Sequence, residues 1–206
     1  MNWKIMPMTK IHKKRVNMNN LLDKIKEISN QFGFDWRVIA AFIEVETGGK
    51  GFNSDGKIMI QFEPSWFKRY VPNAPAGIWS TNKVDVQSKE WEAFNNAFAI
   101  NKEAAMLSTS IGLGQIMGFH YKRLGYKTVG EMWDDAKKGI DRQIWQICEF
   151  IRTDNKLKDA IKRKDWHMIA TIYNGANYLQ LAKKLDREPY NISLEKAYKK
   201  YLKYGN

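Results

Sequence analysis

Apolar residues recur at helical spacing through most of the chain. Leu21, Leu22, Ile25 and Ile28 form one stripe, and Asn19 or Asn20 is placed to cap a helix that runs to about Phe32, with Gly33 ending it. Residues 36–49 (WRVIAAFIEVETGG) are apolar on nearly every side, which predicts a helix through the protein rather than along its surface. Asp35 suits its N-cap and Gly48 its left-handed C-cap. A period of two then takes over. Ile58, Ile60 and Phe62 fall on one face, and Met59, Gln61 and Glu63 on the other. With Asp55 and Gly56 as its turn, this predicts a hairpin of residues 51–54 and 57–63. Pro64 stops the strand and opens a short helix containing Trp66, Phe67 and Tyr70.

Residues 71–87 hold prolines and turn formers and read as a loop. Helical spacing resumes from Ser88 to about Leu107, with Trp91, Phe94, Phe98 and Ala105 in register. Residues 108–118 (STSIGLGQIMG) read as a turn whose glycines let the backbone approach another chain closely, with Gln115 a polar group on it, or more plainly as a connector between helices. Thr128 and Glu131 form a capping box for a helix ending at Gly139, and Ile140, Ile144, Ile147, Cys148 and Ile151 mark the next. Leu157 and Ile161 support a short helix, and Asp165 caps another that runs into Tyr173, Asn174 and Gly175. A Leu/Lys helix over 178–185, a loop at Pro189 and a Ser193-capped terminal helix with a solvated Lys-rich face complete the pattern. Many helices and one hairpin make a predominantly α-helical α+β fold. Residues 1–17 read as a basic N-terminal arm and 18–206 as a single domain.

Composition narrows the class. The 206 residues are 44% hydrophobic and include eight Trp, enough for a substantial core and unlike a disordered chain. No apolar run approaches the roughly 20 residues that span a bilayer. Thirty-four basic against 22 acidic residues give a net charge of +12, which favours anionic partners such as nucleic acid, a membrane surface or a cell-wall polymer. No nucleic-acid motif accompanies the charge, so no nucleic-acid partner is expected. Cys148, the single cysteine, falls in an apolar helix pattern and reads as a packing residue. His12, His120 and His167 are isolated and give no zinc spacing, so no metal or other cofactor is expected. The first residues carry charge but no apolar h-region, so a secretory signal is not expected either.

Two carboxylates stand near the end of the 36–49 helix, and helix geometry separates them. Three, four and seven residues before Glu46 lie Ile43, Phe42 and Ile39, whereas the same steps from Glu44 reach Ala41, Ala40 and Arg37. Desolvation therefore raises the pKa of Glu46, while Glu44 is exposed or paired with a cation. On this stretch alone, a helix-end glutamate that simply reaches water is an equal alternative. Glu63 ends its strand on the face opposite the apolar residues, where an ordinary exposed glutamate is the commoner case.

Three pieces occur in order: Glu46 and Thr47 at a helix end, the turn GLGQIM at 112–117, and Tyr173, Asn174 and Gly175. Together they resemble the goose-type lysozyme and soluble lytic transglycosylase superfamily, where a Glu-Ser helix end, a Gly-Leu-Met-Gln turn and a Tyr-Asn motif surround one glycan cleft. The segments IEVETGGKGF, KIMIQFEPSWFKR, STSIGLGQIMGF and IYNGANY are more closely similar to the N-acetylmuramidase domain of phage endolysins, across residues 20–204. Thr47 replaces the superfamily's Ser and Gly114 its Met, and the interval from Tyr178 to Tyr190 and Asn191 is longer than the pattern.

The resemblance implies a lysozyme-like fold and hydrolysis of the β-1,4 bond between N-acetylmuramic acid and N-acetylglucosamine in bacterial peptidoglycan. It implies Glu46 as general acid and Glu63 as a second carboxylate, a base for water or a nucleophile according to their separation. Gln115, Tyr173 and Asn174 would line the cleft and hold the N-acetyl sugar, with Ser110 and Asn177 beside them and Tyr173 bonded to Glu46. Trp66 and Trp79 are candidates for stacking on sugar rings. The implied protein is a monomer without cofactor, drawn to the anionic envelope, made in the cytoplasm and released by a holin. Two other readings stand beside it. One is a lytic transglycosylase that uses a single Glu and forms 1,6-anhydro ends. The other is a basic module that binds cell wall or nucleic acid without catalysis.

Overall fold

A computed structural model describes residues 10–81 and 86–205, with side chains from residue 20 onward. Of the basic arm expected at 1–17, residues 1–9 and the side chain of His12 lie outside the described residues, as do residues 82–85 of the expected loop. Among the described residues the chain forms twelve α-helices and three short strands. The first helix, α1 (Lys10–Gln31), begins well before Asn19, so residues 10–17 are helical and continuous with it.

The apolar helix α2 (Trp36–Thr47) lies at the centre, packed by α1, α8 (Ile140–Arg152) and α12 (Tyr190–Leu202). Its caps are those expected. The Asp35 side chain accepts the Arg37 N–H at 3.1 Å, and Gly48 closes the last turn at φ 59°. Residues 38–43 are at most 1% exposed. The terminal helix α12 buries Leu194 and Ala197 and sends tyrosines to the carboxylates of α2. Tyr198 reaches Asp35 at 3.3 Å and Tyr201 donates to Glu44 at 2.6 Å, while Lys200 pairs with Glu44 at 2.8 Å. Glu44 is thus the paired carboxylate, with Lys200 as its cation, while Arg37 is held by Asp35 at 2.9 Å.

The sheet is antiparallel in the order β1 (Ile60–Phe62), β2 (Thr109–Ile111), β3 (Ile116–Met117), with Ser110 opposite both Gln61 and Met117. This corrects two expectations. The hairpin read at 51–63 reduces to one bridge, Phe52 with Ile58, because the Asn53 side chain accepts N–H groups of Asp55 and Lys57 and closes the turn locally. The segment 108–118, read as a turn or a connector with no strands assigned to it, forms the β2–β3 hairpin. Its strand residues 109–111 are all buried, so no period of two marked them. The free edge of β1 is satisfied by α5 (Gln87–Ile100): Gln87 exchanges bonds of 3.0 and 2.7 Å with Ile60, and Glu90 accepts the Phe62 N–H at 2.8 Å.

Other boundaries moved for local reasons. The helix expected over 88–107 breaks at Asn101, which adopts an extended backbone and caps α6 (Lys102–Leu107) through the Ala104 N–H. Within the expected loop, α4 (Ile78–Thr81) forms around the buried Trp79, whose indole donates to Pro75 O at 2.9 Å. Ahead of that loop, α3 (Pro64–Tyr70) starts at Pro64 as read. The capping residues Thr128 of α7 (Val129–Lys137) and Asp165 of α10 (Trp166–Tyr173) accept the Glu131 and Met168 N–H groups. Helices α9 (Asn155–Arg163) and α11 (Tyr178–Lys184) fall where they were read. The last helix starts at Tyr190 rather than after Ser193, whose hydroxyl is engaged by Glu188. Cys148 is fully buried, and burial pushes its thiol pKa up to about 12. No described helix is long and apolar enough to cross a membrane.

Candidate active site

A cleft of about 730 Å³ opens where the C-terminal end of α2 meets the sheet and the ends of α10 and α12. The outward face of β1 forms one wall with Met59, Gln61 and Glu63, the residues that strand alternation had set opposite the apolar face. Ser110, Gln115 and Met117 of the β2–β3 hairpin form the floor. Glu46, Tyr173, Asn174 and Tyr190 close the other side.

Glu46 stands on the last turn of α2, half-buried, with its carboxyl facing the cleft. Burial raises its pKa from the ordinary 4.5 to about 7, against the opposing pull of a hydrogen bond from Tyr190 and the charge of Arg187. Near neutral pH it is thus partly protonated, as a general acid must be. The Tyr190 hydroxyl donates to Glu46 Oε1. Burial and the neighbouring Glu46 hold the Tyr190 phenol well above its usual pKa, so it remains a donor.

Tyr173 occupies a different position from the one expected. Its hydroxyl donates to Gly114 O at 2.7 Å, not to Glu46, and its ring lies against Phe42 at 4.5 Å and parallel to Tyr190 at 6.4 Å. Gly114 makes this possible. A Cβ there would come within 2.4 Å of Ile147 and 3.1 Å of the Tyr173 hydroxyl, so the superfamily's Met has no room in this chain. Thr47, in the place of the superfamily's Ser, reaches Leu113 O at 3.4 Å and ties the helix end to the same turn. The buried Gln143 of α8 completes the fastening: it accepts the Leu113 N–H at 3.0 Å and donates to Ala136 O at 3.0 Å.

Gln115 sits at the tip of the turn with φ 46°, a left-handed conformation uncommon outside glycine, asparagine and aspartate. Its side chain is locked by Ser110 Oγ at 3.0 Å and by its own bond to Gly112 O at 2.8 Å. Such strain is kept where surrounding bonds over-determine the backbone. Across the cleft, burial raises the Glu63 pKa and the carboxylate of Glu90 raises it further, while Gln61 Nε2 donates to Glu63 at 3.2 Å.

The remaining expected residues divide. Asn174 lines the cleft, but Asn177 lines a shallower groove beside it, with Gly175, Gln180 and Lys184. Trp79 is 3% exposed and belongs to the core. Trp66 packs on Phe119 at 4.6 Å and is not among the cleft residues. Tyr190 and Arg187 are the residues that sequence reasoning missed as members of the site. Their one signal was the displaced Tyr190-Asn191 pair, whose long interval from Tyr178 is the length of α11 and the turn that returns the chain to Glu46. Among the described residues no His, Cys, Asp or Glu cluster is suited to a metal ion.

Replacing Tyr190 by Phe keeps the ring and removes the hydroxyl that stabilises the ionised Glu46. The Glu46 pKa is then expected to rise above about 7, moving the alkaline limb of the kcat–pH profile to higher pH. A limb that stays in place or moves to lower pH would contradict this coupling.

A carboxyl partly protonated near neutral pH, lining a polar cleft with a second carboxyl in a mainly helical fold, matches a glycoside hydrolase of the lysozyme-like class. Comparison with known proteins makes this specific. The chain belongs to the N-acetylmuramidase family, whose profile matches residues 35–202. It is similar to the crystal structure of the Burkholderia AP3 phage endolysin, with a TM-score of 0.72 and 26% identity over 89% of this chain and 70% of that one. A search of curated proteins finds no match. The protein is accordingly a glycosidase that acts on the peptidoglycan of the cell wall.

Proposed function

We propose that this muramidase hydrolyses the β-1,4 bond between N-acetylmuramic acid and N-acetylglucosamine with Glu46 as general acid. The observation that carries the reading is the position of Glu46: at the cleft, beneath an apolar helix face, with a pKa of about 7. Its proton goes to the glycosidic oxygen as the bond to the sugar breaks and oxocarbenium character develops. The carboxylate left behind is stabilised by the Tyr190 hydroxyl and the Arg187 charge, the two influences that favour its ionised form.

Glu63, on the opposite wall, takes the proton of the attacking water, oriented by its bond from Gln61. Ser110 and Gln115 form a rigid floor on which the N-acetyl sugar rests, with Asn174 exposed at its edge. All these groups come from one chain, so a monomer suffices. The likeness to a phage endolysin supports a role late in phage lysis, with release from the host cytoplasm to the wall through a holin-type pore.

Digestion of purified sacculi tests the reaction. Mass spectrometry is expected to find reducing N-acetylmuramic acid ends, whereas 1,6-anhydro ends would make the enzyme a lytic transglycosylase. Glu63→Gln addresses the same choice: a general base for water predicts a fall in kcat of roughly 10²-fold or more. An undiminished rate in that variant would remove Glu63 from the mechanism.

A further inference from the structure

The cleft of this basic protein is itself acidic. Glu46, Glu63, Glu90 and Glu188 line it, and among the described lining residues Arg187 is the only Lys, Arg or His. The proposed substrate is anionic. Each muramyl sugar bears a lactyl group that ends either in a carboxylate or in a peptide stem carrying carboxylates. Bringing such a polymer against a wall of glutamates is unfavourable unless a cation meets it.

Arg187 is built into the site for such a contact. It lies in the turn between α11 and α12, where Asp186 takes a left-handed φ of 47° and the Arg187 N–H donates to Ala182 O at 3.0 Å. The backbone is pinned while the side chain stays exposed. The neighbouring Glu188 does not consume its charge, because Lys196 and Ser193 already hold that carboxylate. Among the described residues Arg187 makes no ion pair, yet its charge is felt at Glu46, so the guanidinium and the acid share one space.

Resting on the reading of this cleft as the glycan site, we propose that Arg187 is a specificity-determining residue that binds a carboxylate of the muramyl unit. It thereby selects peptidoglycan over neutral β-1,4-linked N-acetylglucosamine strands. A guanidinium fork matches a carboxylate with two parallel hydrogen bonds, and a neutral strand offers no such partner.

Three forms of one glycan strand test this: with peptide stems, stripped by an amidase to free lactyl carboxylates, and stripped then amidated to neutrality. Arg187→Gln is expected to lower kcat/KM on charged strands about tenfold more than on the neutral strand; the loss of its charge at Glu46 falls on all three strands alike and cancels in that ratio. Arg187→Lys, which keeps the charge without the fork, should recover part of the loss. A defect on stem-bearing strands alone assigns the bound carboxylate to the peptide, and a defect on stripped strands assigns it to the lactyl group. Equal losses on charged and neutral strands, or none on either, overturn the proposal. Glu46→Gln assayed in parallel keeps the two readings apart: continued cleavage by that variant would overturn the cleft assignment itself.

Discussion

Glu46→Gln is expected to lower turnover of purified peptidoglycan by roughly 10²–10⁴-fold without unfolding the protein. The amide oxygen still accepts the Tyr190 hydroxyl, so the packing of α12 on α2 survives, while the transferable proton is gone. In the wild type, activity should fall as pH rises through about 7, where Glu46 loses that proton. Stability gives an independent check. The folded-state pKa lies above the ordinary 4.5, so the unfolded chain ionises first and wild-type stability declines as pH rises between about 4.5 and 7. Glutamine does not titrate. Thermal melts followed by circular dichroism should therefore show the variant gaining on the wild type from pH 4 to pH 8. Full activity in the variant would end the assignment of Glu46 as the acid.

Phe42→Ala is expected to cost about 3–5 kcal/mol of stability, the usual range for emptying a fully buried phenylalanine site. Phe42 has no exposed surface, and its ring backs Tyr173 at 4.5 Å. A domain of this size has only about 5–15 kcal/mol in total, so the urea midpoint should fall sharply. The effect should also reach the cleft. Tyr173 would lose the support that aims its hydroxyl at Gly114 O, and the turn carrying Gln115 would loosen with it. The molecules that remain folded are thus expected to turn over more slowly than wild type. An unchanged urea midpoint would show that Phe42 does not carry the packing ascribed to it.

What could be read from the chain was whatever depends on neighbours in sequence. The caps at Asp35 and Gly48, and the split between Glu44 and Glu46, follow from helical periodicity alone, and the structure has them as read. The placing of Glu63 with Met59 and Gln61 follows from strand alternation, which holds even though the predicted hairpin partner does not. Local pattern failed where long-range contacts decide. Residues 109–111 pair with β1 about 50 positions away and are buried on both faces, so they carried no strand signature. Asn101 breaks a helix through its own side chain, against the apolar spacing around it. The bond from Tyr190 to Glu46 joins residues 144 apart, and no period in the sequence encodes it. The resemblance gives that bond to Tyr173, but Gly114 leaves room for its hydroxyl to reach the backbone carbonyl there instead.

The seating of α12 on α2 also bears on when the enzyme acquires its chemistry. Closing a loop of about 144 residues is entropically demanding, so this contact belongs to the late stages of folding. Until it forms, Glu46 lacks the Tyr190 hydroxyl and the cleft wall that Tyr190 supplies, so the balance of burial and hydrogen bonding that sets its pKa is not yet in place. Acid strength at neutral pH is then a property of the finished chain rather than of residue 46. A nascent or proteolytically shortened polypeptide ending before Tyr190 would carry the right side chain with the wrong proton affinity.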